Sequence, residues 1–201
     1  MNQLALFEPS ETVLVDDRRG RIVYTPGFIS SAEAVEWFHE LRLDVSWQAQ
    51  RRQMYDREVA VPRLTARYRL DGDEEMPEVL HSAAARIVQA LQVPFTSVGL
   101  NLYRTGEDSV APHNDHLNEL AVGHPIALLS LGATRRMTIR AKQPPRRALH
   151  TELQAGSLFV MSYETQIHFD HGIPKTDDRV GERISLAFRV RPPEPVGAQR
   201  Y

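Results

Sequence analysis

Apolar positions along the chain change their period near Pro94. Before it, Ala34, Val35, Phe38 and Leu41 recur at helical spacing behind Ser30 and Glu33, a pair placed to form a capping box, so a helix is predicted near Ser31–Leu41. Pro77 suits a first helical turn, and Val79, Leu80, Ala83, Ile87, Val88 and Leu91 make one apolar stripe up to Gln92, which predicts a second helix. After Pro94 short β-type runs broken by turn residues take over: Ser97–Arg104, Pro125–Leu131, Arg136–Arg140, Ala148–Leu153, Ser157–Met161 and Arg183–Val190. Helices first and many short antiparallel strands after predict an α+β chain, mainly β, whose sandwich or jelly roll is braced by helices on its outer face. Trp37 and Trp47 stand outside any motif and are read as core or helix-packing residues.

Composition narrows what such a fold can do. With 201 residues and no internal repeat or divisive linker, a single domain is expected. Its charged fraction of 25% and the absence of any long apolar run exclude membrane spanning by a helix. The opening MNQLALFEPSETVLVDD has no basic leader with a long apolar region behind it, so a cytoplasmic location is the expectation. There is no cysteine, hence no thiolate nucleophile and no Cys-based metal site; any metal must be held by His and carboxylate. Net charge is −2, which gives no global attraction to nucleic acid, although arginines cluster at 51, 52, 57, 63, 67 and 69 and again within 135–147.

Candidate chemistry begins at His113-Asn114-Asp115. In an extended segment residues two apart project to the same side, so this imidazole and carboxylate can reach one ion. Two His and one carboxylate on one face of an octahedral metal leave three positions open, the arrangement by which Fe(II) takes a co-substrate and O₂. The third ligand is expected from a later strand, His171 first, with His150 and His168 as weaker choices; His116 is read as a solvated loop residue. In Arg183-Ile-Ser-Leu-Ala-Phe-Arg189 an even separation of six puts both guanidinium groups on one strand face, with Ser185 and Ala187 between them. Such a pair can meet a dicarboxylate through bidentate forks. Asn101 and Tyr103, also two apart, can line the same pocket.

The order of these features resembles the AlkB-like Fe(II)- and 2-oxoglutarate-dependent dioxygenases, especially those that repair alkylated nucleic acid. The resemblance is carried by Pro26-Gly27-Phe28, Val61-Pro62-Arg63, Asn101-x-Tyr103 with Gly106, His113-x-Asp115, Ser130-Leu131-Gly132, His168-Phe169-x-His171-Gly-Ile-Pro174 and the run Arg183–Arg189. It implies a double-stranded β-helix core, Fe(II) on His113, Asp115 and His171, and 2-oxoglutarate held by Arg183 and Arg189 with help from Asn101 and Tyr103; Ser185 belongs to the same wall. It implies oxidation by O₂ of a carbon bound to nitrogen, with succinate, CO₂ and formaldehyde as products.

For the substrate it implies alkylated bases such as 1-methyladenine and 3-methylcytosine, extracted from the stack into a pocket. Arg63, Thr65, Arg67 and Tyr68 lie in a segment similar to the family's nucleotide-recognition lid, with Tyr68 placed to stack on a base and the arginines to meet phosphates. Arg135, with Arg136 and Arg140, is a second candidate group for backbone contacts. The segment departs from the family pattern at Arg69-Leu-Asp-Gly-Asp-Glu-Glu75, which is short and acidic, so a protein, lipid or small-molecule substrate is the alternative. The expected organisation is an extension at 1–20, a dioxygenase domain over 21–192 with a lid at about 47–75, and a tail at 193–201, working as a monomer with no obligate protein partner.

Overall fold

The computed structural model describes residues 10–54 and 57–192, with side chains at 52–54 and 57–60 outside that description. In chain order the elements are β1 (Thr12–Asp17), β2 (Gly20–Thr25), α1 (Ser31–Asp44), β3 (Gln48–Met54), β4 (Arg57–Arg69), α2 (Glu78–Leu91), β5 (Ser97–Tyr103) and β6 (Val110–His113). They continue with β7 (Ile126–Gly132), β8 (Arg135–Ala141), β9 (Ala148–Leu153), β10 (Leu158–Met161), α3 (Thr165–His168), β11 (Phe169–Ile173) and β12 (Arg183–Arg189). The larger sheet runs β1-β2-β10-β7-β12-β5-β4-β3 and the smaller one β6-β11-β8-β9. This is a mainly β, antiparallel jelly-roll fold with two long helices.

Strand alternation divides the core in two. On β12, Ile184, Leu186 and Phe188 join Val98, Leu100 and Leu102 of β5 against Trp37 and Leu41 of α1 and Leu80, Ala83 and Ile87 of α2. The opposite face of the same sheet, through Tyr103, Leu128 and Ala187, meets Met137, Ile139, Phe169 and Ile173 of the smaller sheet. At a typical 25 cal/mol per Å² each large buried side chain in these layers contributes about 2 kcal/mol, so the two layers fix both the helices and the spacing between sheets. The capping box at Ser30 forms: Glu33 N–H donates to Ser30 Oγ, and Glu33 Oε2 accepts from Ser30 N–H. Trp37 is buried, and Trp47 packs against the same layer.

The order of helices first and strands after needs correction, since β1 to β4 all precede α2. β1 falls inside the segment 1–20 expected to be an extension, and it pairs with β2 from Thr12 to Asp17, so among the described residues the sheet begins at Thr12. Much of the expected lid is likewise sheet, β3 and β4 being its outer two strands. Two motif glycines set close approaches. A side chain at Gly132, where φ is +80°, would collide with the Glu182 carbonyl and the Phe38 ring. A Cβ at Gly172 would lie 2.7 Å from the Val110 carbonyl oxygen, so glycine there lets β6 close on β11.

Candidate active site

The two sheets leave a cavity of about 870 Å³ between them, with different chemistry on each wall. On the smaller sheet β6 pairs with β11 so that His113 faces His171, their ring centroids 4.6 Å apart. Asp115 follows two residues beyond, and one ligand atom from each of the three lies within 4.8 Å of the others. Among the described residues no other group of His, Asp and Glu gathers in this way. His150 is exposed and bonded to Thr138, and His168 and exposed His116 stand apart from the group.

Each of the three is held ready to bind a cation. His113 Nδ1 lies 3.0 Å from the Ala111 carbonyl, which it meets as a donor, leaving Nε2 as the free lone pair. Burial first, and then the neighbouring His113, drive the His171 pKa down to about 3, so its imidazole is neutral at physiological pH. Burial pushes the Asp115 carboxyl up, but the charge and hydrogen bonds of Arg189, joined by His171 and His113, more than offset it and the group stays below its usual value. Arg189 donates to both Asp115 oxygens, at 2.8 and 3.0 Å. The turn between the two ligands is fixed from behind: Gln166 Oε1 accepts from Asp115 N–H at 2.9 Å, and Lys142 Nζ donates to Asn114 Oδ1 at 2.8 Å.

The larger sheet supplies the opposite wall in rows set by register. Gln48, Thr65, Asn101, Ser185 and Ser130 form one row across β3, β4, β5, β12 and β7. Arg67, Gly99, Ala187 and Leu128 form the next. At the inner end Arg183 pairs with Tyr103 and is 1% exposed. Its Nη2 donates to Ser130 Oγ at 2.9 Å, while Nε and Nη1 have no hydrogen-bond partner. A buried guanidinium left with unmatched N–H groups on Nε and Nη1 is costly unless a ligand completes it, and a carboxylate can do so. The residues therefore fit a carboxylate ligand beside a His/Asp/His metal set, the requirement of iron with 2-oxoglutarate.

Arg135 departs from its expected role in binding substrate. It is 3% exposed and donates to the carbonyls of Thr105, Asp108 and Pro174 at 3.1, 2.9 and 2.7 Å, tying the β5–β6 loop to the segment after β11. The β8 alternation that buries Met137 and Ile139 buries Arg135 with them; of its neighbours, Arg136 is exposed and paired with Glu152, and Arg140 is exposed near Asp170. Arg63 is also turned inward. Its Nε donates to Asn101 Oδ1 at 2.7 Å and its Nη1 to the Ser109 carbonyl, a position that serves the pocket wall rather than a phosphate. Tyr68 points to the helix side with Leu64 and Ala66, its hydroxyl bonded to the Ser46 backbone, so it is poorly placed to stack on a base. Thr65 and exposed Arg67 face the cavity. Arg51 is exposed, and the Arg52 side chain lies outside the described residues.

Several site residues carry no assignment from the sequence. Ser130 sits in a recognised motif without a role, and Arg191 extends the alternation of Arg189 by one step. Gln166 comes from a four-residue helix too short to show a period.

The sequence model of the 2OG-Fe(II) oxygenase superfamily matches residues 21–189. The chain is 31% identical over 198 residues to mouse alpha-ketoglutarate-dependent dioxygenase alkB homolog 3, covering 90% of this chain and 69% of the relative. It is 32% identical over 196 residues to the human protein of that name, covering 89% and 68%. With bovine DNA oxidative demethylase ALKBH2 it shares 32% over 179 residues, covering 79% and 64%. The solved structure of OsALKBH1 has the same fold, with a TM-score of 0.62 at 14% identity over 90% of this chain and 100% of that one. The chain thus belongs to the AlkB-like branch of the 2OG-Fe(II) oxygenase superfamily, oxidoreductases that work with Fe(II), 2-oxoglutarate and O₂.

Proposed function

We propose that this protein removes alkyl groups oxidatively from bases of DNA or RNA, with His113, Asp115 and His171 holding Fe(II) and Arg183 and Arg189 holding 2-oxoglutarate. The observation that carries the reading is the buried Arg183 fork with two unmatched donors, set across one cavity from the His/Asp/His group. The names of the relatives, dioxygenase alkB homolog 3 and DNA oxidative demethylase ALKBH2, support a nucleic-acid substrate. His113, Asp115 and His171 come from one chain, so this candidate metal set needs no residue from a second copy.

Iron and O₂, when bound, supply the oxidising power. One oxygen atom ends in succinate as 2-oxoglutarate loses CO₂, and the other enters the N-methyl carbon. The hydroxymethyl C–N bond then breaks, its proton returns to the base nitrogen and formaldehyde leaves. The chain's own part is positional. Arg183 fixes one carboxylate at the closed end, Asn101 Nδ2 is aimed as a donor because Arg63 occupies its Oδ1, and Arg189 keeps Asp115 ionised. Met137, Ile173 and Leu128 keep water from the interior. Incubation of methylated oligonucleotides with Fe(II), 2-oxoglutarate and ascorbate should remove one CH₂ from the base mass and release one formaldehyde per succinate. Turnover of 2-oxoglutarate with every oligonucleotide unchanged would sink the nucleic-acid reading in favour of a protein, lipid or small molecule.

A further inference from the structure

Resting on the dealkylation reading, we infer from the cavity's lining that the preferred targets are neutral, carbonyl-bearing N-alkylated bases, with Arg67 as the residue that selects them over cationic ones. Alkylation at N1 of adenine or N3 of cytosine fixes a positive charge on the ring. At N1 of guanine or N3 of thymine or uracil it replaces a proton, and the base stays neutral with its oxygens exposed. The two classes differ at the group beside the alkylated nitrogen: the first offers a cationic ring with an amino donor at purine C6 or pyrimidine C4, the second a neutral ring with a carbonyl acceptor at that position.

The wall above the metal group is built for the second class. Arg67 stands on β4 beside Gly99, and a Cβ at Gly99 would lie 3.4 Å from Arg189 Nη1, so the missing side chain lets the Arg189 guanidinium come up to this strand position. Arg67 has no hydrogen-bond or ion-pair partner among the described residues, whereas Arg189 is bound to Asp115 and Arg191 to Glu119. Three cations against two carboxylates leave this end of the cavity positive. Burial lowers the Arg67 pKa, and repulsion from Arg191, Arg189 and Arg69 outnumbers the help from Glu119. Of the cavity's other acids, Asp44, Glu74 and Glu75, Glu74 already accepts from the Arg69 backbone N–H, and the acid that acts on Arg67 is Glu119.

Aromatic plates are scarce here too. Of the two tyrosines lining the cavity, Tyr68 belongs to the helix-side layer and Tyr103 is 3% exposed beneath Arg135 and Arg183. A base entering over Gly99 meets a guanidinium plane instead. Arg offers donors alone, which suit the oxygens of guanine, thymine or uracil, and a cation over a neutral ring is attractive whereas one over a charged ring is repelled.

The test uses the full chain with Fe(II), 2-oxoglutarate and ascorbate on four single-stranded oligonucleotides of identical flanks. Each carries one 3-methylthymine, 1-methylguanine, 1-methyladenine or 3-methylcytosine, and kcat/KM is taken from formaldehyde release. The neutral pair should exceed the cationic pair by about tenfold, and the ratio should fall in Arg67→Gln and approach or pass one in Arg67→Glu. Equal or better turnover of the cationic pair by the unaltered protein, or a ratio unmoved by Arg67→Glu, overturns the inference. If none of the four loses its methyl group while 2-oxoglutarate is consumed, it is the dealkylation reading that fails, and this selection with it.

Discussion

Arg135 and Arg183 are both sealed from solvent, one on each sheet, and both lie over the ring of Tyr103, at 5.6 and 5.2 Å. Burial lowers the pKa of each. They differ in what their nitrogens meet. Arg135 is finished by three backbone carbonyls, while Arg183 has one serine and two unmatched donors. Residue type and burial therefore do not separate a structural cation from a ligand-binding one; completion of the hydrogen bonds does. The chain folds with Arg135 satisfied by itself and leaves Arg183 to be satisfied from outside.

The widest gap is expected at the metal group that faces Arg183. His171→Ala or Asp115→Ala should reduce 2-oxoglutarate turnover to background and abolish Fe(II) binding by titration, with the melting temperature of the metal-free protein nearly unchanged; a large melting shift would make the group structural, like Arg135. Next comes Arg135→Ala, which strands three carbonyls and should cost about 3–5 kcal/mol. For a chain of this size that is roughly 10 °C of melting temperature. Arg183→Met should do the reverse. Thermal stability without ligand should hold or rise, while 2-oxoglutarate affinity falls by about 2–4 kcal/mol in a direct titration. If the two variants behave alike in both measurements, the contrast between the two arginines collapses. The smallest effect belongs to Arg63→Gln. Freeing the Asn101 amide to turn should raise the KM for 2-oxoglutarate by roughly fivefold, on the order of 1 kcal/mol, with little change in kcat. A loss confined to kcat would place Arg63 elsewhere in the reaction.

The fold was most legible where one face of an element is apolar and the other wet. Both helices and β9 were read closely from their period, and β5, β7, β8, β10 and β12 within a few residues. β4 escaped because its inward positions Arg63, Thr65 and Arg67 line a polar cavity, so the strand has no inner apolar stripe to betray it. The metal group and the Arg183–Arg189 face could be picked out because a spacing of two or six in a strand fixes side-chain direction. Direction is all that spacing fixes. Arg135, Arg63 and Tyr68 are assigned to substrate by the family resemblance together with residue type, and their partners Thr105, Pro174, Asn101 and Ser46 come from distant loops and strands that no local pattern announces. Gln166 and Lys142, which brace the metal-binding turn, are hidden for the same reason.

Because the cavity's outer wall is a strand hydrogen-bonded to β5 rather than a loop, its contents can change only in even steps. Deleting one residue from β4 between Leu64 and Arg69 would slide the register by one and send Ala66 and Tyr68 into the cavity while turning Arg67 toward α2. An insertion of one would do likewise unless a bulge absorbed it; the existing irregularity is an even one, since β4 takes four steps from Ala60 to Leu64 while β3 takes two from Ala49 to Arg51. Substitutions at Arg67 or Thr65 can therefore change the cavity's contents while leaving the sheet intact, but length changes in this wall should be tolerated only between β3 and β4 and after Arg69.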